Sequence, residues 1–109
     1  MACASLPIGA QTVQATATTA DATSGLTVLA ASAGETFYIT DITISTDTAQ
    51  EIQIEDTAAT VVSEQMYFPA ESIWSKTWST PLVFATGEGV TVVGSLAGNV
   101  SVTVTGYKR

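Results

Sequence analysis

The stretch Glu35–Thr46, ETFYITDITIST, constrains the fold more than any other part of the chain. It is dense in β-branched and aromatic residues and follows a Gly-containing turn at Ala33-Gly34, the pattern of a strand. Its alternation changes phase. Phe37 and Ile39 share odd parity, whereas Ile42 and Ile44 share even parity. Side chains of a strand alternate with period two, so the change needs a bulge, or a strand that passes from one sheet to the other. Thr40-Asp41 is the expected place.

From Leu26 onward, short strands and turn signals alternate at the spacing of a sandwich or barrel. Strands are expected over Leu26–Ala31, Gln50–Glu55, Thr60–Met66, Ile73–Trp78 and Leu82–Ala85. Val90–Leu96 and Asn99–Tyr107 read as a closing hairpin around Ala97-Gly98. Tyr67-Phe68-Pro69-Ala70 reads as a loop, and Ser79-Thr80-Pro81 as a strand end. In Gln50–Glu55 the isoleucines are expected inward, with Glu51, Gln53 and Glu55 toward water. No helical periodicity of any length is present. The expectation is an all-β, antiparallel jelly roll or related Greek-key sandwich of about eight strands over residues 26–109. Its core should hold Ile42, Ile44, Ile52, Ile54, Val92, Val102 and Val104.

Residues 1–25 differ from this pattern. They are rich in Ala, Thr and Gln, carry Asp21 as their one charge, and have too few large apolar groups to fold alone. They read as an extended N-terminal arm that becomes ordered against a neighbour, or as a frayed terminus. In the first reading Thr12, Val13, Thr16 and Thr18 supply a strand for a neighbour's sheet edge. Removing residues 2–20 would then spare the sandwich's unfolding and abolish docking.

Only 12% of the 109 residues are charged, about half the usual ~25%. Ten acidic residues against three basic ones give a net charge of −7. Phosphate recognition needs Lys and Arg, so neither nucleic acid nor an anionic membrane is an expected partner. No apolar run approaches the ~20 residues of a membrane helix. Met1–Gln14 lacks the basic and apolar regions of a signal peptide, so synthesis in a cytoplasm is expected. The lone cysteine, Cys3, excludes an intrachain disulfide and reads as a bystander thiol.

The residue inventory offers little for catalysis. There is no histidine, hence no common general base, nucleophile activator or metal ligand of that type. One cysteine does not make a zinc site. Glu51 and Glu55 lie about 13 Å apart on one strand face at ~3.3 Å per residue, too far for a carboxylate pair. Glu55-Asp56 lacks the interleaved acids of a calcium loop. Gly87-Glu88-Gly89 lacks the Lys and following helix of a phosphate loop, and so reads as a turn. No cofactor and no enzymatic activity are expected. Trp74 and Trp78 flank Lys76, and on an extended strand all three face one way. They read as packing or subunit contact, with an aromatic platform for a sugar or a partner protein as the alternative. Tyr67 and Phe68 share that ambiguity.

The succession AGETFYITDITIS, IQIED, STPLVFATGEGVTVV and NVSVTVTGYKR resembles small jelly-roll virion proteins of tailed bacteriophages over roughly residues 33–109. The resemblance implies a structural virion protein assembled in the host cytoplasm, most of all a head decoration (cement) protein on the capsid surface. It also implies a homotrimer contacting the major capsid protein or another virion protein. A head-fibre, tail or receptor- and carbohydrate-binding component is the alternative. The resemblance assigns no functional residues.

Overall fold

The computed structural model describes residues 9–63 and 65–109; Cys3 and Glu64 lie outside them. Eight strands occur among the described residues: β1 (Gln11–Asp21), β2 (Leu26–Leu29), β3 (Phe37–Thr46), β4 (Gln50–Asp56), β5 (Met66–Phe68), β6 (Ser72–Val83), β7 (Val90–Gly94) and β8 (Ala97–Lys108). They form two four-stranded sheets, ordered β1-β8-β3-β6 and β2-β7-β4-β5. Every ladder is antiparallel. First pairs with last, second with seventh, third with sixth and fourth with fifth, as in a long hairpin rolled onto itself. That is the jelly-roll topology.

The phase change in β3 is a bulge within one sheet, not a passage between sheets. Register shifts between Ile39 and Asp41 against both neighbours. The extra residue, Thr40, lets Phe37 and Ile39 before it and Ile42 and Ile44 after it all face the core. The Thr40 hydroxyl donates to the Thr105 carbonyl and to Asp41, so the irregular turn of backbone is tied down. The expected core residues Ile42, Ile44, Ile52, Ile54, Val92, Val102 and Val104 are buried, together with Phe37, Ile39, Phe84, Val90 and Val100.

Several elements differ from the sequence expectation. Gln11–Asp21, read as part of an arm, is the edge strand β1 and pairs along β8 of its own chain, with Val13, Ala15 and Ala17 packed against the core. Ile73–Trp78 and Leu82–Ala85 are not two strands; β6 runs unbroken from Ser72 to Val83. Thr77 faces Asp41 and Leu82 faces Ile39, so residues 78–81 stand opposite Thr40 alone. Pro81 sits in this widened bulge of an edge strand, where its missing N–H costs no ladder bond. Thr60–Met66 is mostly loop, and the strand is displaced to Met66–Phe68. The loop before it runs back along β4, with Val62 and Ser63 both donating to the Ile54 carbonyl. It covers Glu55, which is buried rather than exposed and accepts from the Gln53 amide.

The expected final hairpin is also absent. β7 lies between β2 and β4, whereas β8 lies between β1 and β3 in the other sheet. Ser95-Leu96 is therefore a bridge from sheet to sheet. Alternation reports which side of a strand is buried, and β7 and β8 both satisfy it without being partners.

A hydroxyl-covered sheet as candidate interaction surface

The same alternation that points valines and isoleucines inward from β8 and β3 points Ser and Thr outward. Register aligns these positions in rows across the whole β1-β8-β3-β6 sheet. One row is Thr12, Tyr107, Tyr38 and Val83; the next is Gln14, Thr105, Asp41 and Thr77. Then come Thr16, Thr103, Thr43 and Ser75, and last Thr18, Ser101, Ser45 and Ile73. Twelve of these sixteen side chains carry a hydroxyl and one carries a charge.

Hydroxyls pair across strands, Thr16 with Thr103 at 3.0 Å and Thr43 with Ser75 at 3.0 Å. The lone carboxylate, Asp41, accepts from the Thr77 hydroxyl at 2.6 Å. Tyr38 and Tyr107 stack with centroids 4.9 Å apart and planes 14° from parallel. Cross-strand contacts of these kinds contribute a few tenths to about 1 kcal/mol each and tie the four strands together on this face. Such a surface is nearly neutral and costs less to desolvate than a charged one.

The last row opens into a depression of about 830 Å³ lined by Thr18, Ser45, Asp47, Glu71, Ile73 and Ser101, among others. Its chemistry is that of a held loop. Asp47 accepts from the Asn99 backbone N–H at 2.9 Å, the Asn99 amide at 2.7 Å and the Thr48 hydroxyl at 2.9 Å. The Thr48 and Asn99 donors keep its carboxyl below the ordinary value of 3.8, and so fully ionised at neutral pH. Catalysis by a general acid needs the reverse shift.

Among the residues singled out from sequence, Thr12, Thr16 and Thr18 stand on the hydroxyl face at its β1 side, while Val13 turns inward. Trp74 and Trp78 are half-buried and pack against the core from β6; Trp74 meets Phe68 edge-on at 6.3 Å and 79°. Trp74 thereby bridges the side of the sandwich between β6 and the short β5. Lys76 lies between the two indoles in the core-facing row, opposite Ile42, yet exposed. Tyr67 is 75% exposed on the opposite sheet and does not join the indoles. Glu55-Asp56 gathers no cation site: Asp56 is spent on the Ala58 and Thr60 N–H groups, 2.9 and 3.0 Å away. Among the described residues no three metal-ligating side chains converge. The hydroxyl face as a whole is legible in no single strand. Its signal was present as the outward half of each alternating strand, but only register brings the four halves together.

No protein-family model matches the chain, and no curated protein matches it. Among solved structures it is similar to the coat protein of Tobacco streak virus in two crystal structures, one of them described as a dimer. Both have a TM-score of 0.52, at 11% and 13% identity, and cover 94% of this chain and 89% of that one. A virus-like particle of the extra small virus of the prawn Macrobrachium rosenbergii is similar with a TM-score of 0.43 at 11% identity, over 94% of this chain and 82% of that one. At such identities the coat-protein likeness is one of fold. The chain has the jelly-roll fold found in that viral coat protein.

Proposed function

We propose that this chain is a structural protein of a virus particle, and specifically a capsid decoration (cement) protein of a tailed bacteriophage. The observation that carries the reading is the jelly roll itself, shared over 94% of the chain with a viral coat protein. The sequence resemblance to small phage virion proteins, which rests on different grounds, is the reason for preferring the head surface to the tail or a fibre. A hydroxyl-covered, nearly neutral sheet suits repeated contact with other protein subunits, because little charge must be stripped of water. The partners are further copies of the chain and the major capsid protein or another virion protein. A homotrimer is the state the resemblance implies, and the dimer seen for the coat-protein neighbour supports self-association in general.

Cryo-electron microscopy of particles assembled with and without the chain tests this. Density of the size of this sandwich, present on the outer shell only when the chain is supplied, is the expected result. Density confined to the tail or a fibre would replace the decoration role with the alternative one. Absence from purified particles would remove the virion role.

A further inference from the structure

The four sheet edges of the sandwich are not alike. β2 and β5, the edges of one sheet, run four and three residues. β6 is long, but Lys76 stands in its core-facing row, Pro81 lacks an N–H, and residues 78–81 bulge opposite Thr40. Shortness, inward charge, proline and bulges are the devices by which an edge avoids pairing with another chain. β1 has none of them over Gln11–Thr19, which runs uncharged and in unbroken register with β8. Among the described residues, the backbone hydrogen bonds outside the ladders leave the free edge of Gln11–Thr19 untouched.

We propose that this edge pairs antiparallel with β1 of a second copy, joining two β1-β8-β3-β6 sheets into one eight-stranded sheet across a two-fold axis. The inference rests on the edges alone and stands or falls apart from the virion role. Charge and register select the occupant. Copies carrying −7 repel one another, so their contact must fall where carboxylates are few. β1 has one, Asp21, at its far end. A pairing centred on Thr16 sets Thr16 against itself, Gln14 against Thr18 and Ala15 against Ala17 of the second copy. Parity is kept, so the hydroxyl rows stay outward and the apolar rows stay over the core. Asp21 then meets Gln11 of the second copy, and no like charges face each other.

Sedimentation equilibrium from micromolar to millimolar protein tests the pairing, with circular dichroism to verify that each variant is folded. The wild type is expected to dimerise reversibly with concentration. Thr16→Lys brings like charges together at the axis and is expected to weaken the dimer by about tenfold or more. Ser75→Lys adds the same charge to the same face beside β6 and is expected to leave the dimer intact. Thr16→Glu alone should weaken it as Thr16→Lys does, while an equimolar mixture of the two restores dimers. A monomer throughout the range, a dimer or trimer indifferent to Thr16→Lys, equal weakening by Ser75→Lys, or a mixture that stays monomeric would each overturn the proposal.

Discussion

Val102 is fully buried in β8 with Ala17 and Ile44 as its register partners on either side. Val102→Ala deletes two methyl groups where close-packed neighbours relax only in part, so a loss of about 1 to 3 kcal/mol is expected. The midpoint of chemical unfolding should fall at unchanged slope. Asp47 gives a pH-dependent counterpart. Its carboxyl is held below 3.8 by the Thr48 and Asn99 donors, so its folded value lies under its unfolded one. Its contribution is thus complete above the unfolded value and is lost as pH falls through the folded one. The difference in unfolding free energy between wild type and Asp47→Asn should therefore be largest near neutrality and close below about pH 3.8. Glu35 shifts the same way, through the Ser32 hydroxyl first and Lys108 second. Its ion pair with Lys108, at 3.1 Å, is only half-buried and still reached by solvent, so it adds little by itself.

At the scale of the element, the β3 bulge is matched by a glycine. Gly106 lies opposite Ile39, where a Cβ would run into the Tyr38 carbonyl oxygen and the Ile39 Cα. Gly106→Ala must push two strands apart beside the bulge. It should cost about 1 to 3 kcal/mol by equilibrium unfolding, as overpacking does. β1 leads to a different expectation from the one its composition suggests. Deleting residues 2–20 strips β8 of one of its two ladder partners and uncovers the core that Val13, Ala15 and Ala17 cover. Calorimetry should show the unfolding temperature falling by at least ~10 °C, the equivalent of a few kcal/mol in a domain this size. An unchanged transition would return β1 to the status of an accessory arm. The expected fall would move the proposed docking role from a free arm to the outer edge of a strand already held by β8.

For the whole molecule, charge sets the partners. Three basic residues stand against ten acidic ones, and Lys108 is engaged by Glu35. A surface of this kind has no array of cations to exchange for the counterions of a polyanion. Duplex DNA and anionic vesicles should show no binding by mobility shift or flotation at ~0.15 M salt, where surface fields fade within about 8 Å. Retention on either would require a basic surface that these residues do not supply. The molecule instead presents one broad face of hydroxyls, and its two indoles pack half-buried against the core, Trp74 against Phe68 of β5.

Ile42, Ile44, Ile52, Ile54 and Val102 are buried because every second residue of a strand shares a side, and that periodicity is written in local sequence. The bulge at Thr40 was legible for the same reason: two apolar parities in one strand admit few solutions. All-β character, the main core and the poverty of catalytic groups were therefore determined by the sequence alone. Partnership was not. That β7 and β8 part to different sheets, that β6 continues through Pro81, and that Ala- and Thr-rich β1 closes an edge depend on residues tens of positions away in the chain. β1 is the clearest instance. Its own side chains bury too little surface to hold a strand, and the waiting edge of β8 provides the hydrogen bonds and the apolar floor that do. Likewise each strand encodes its outward hydroxyls, but only the register of four strands makes them a surface.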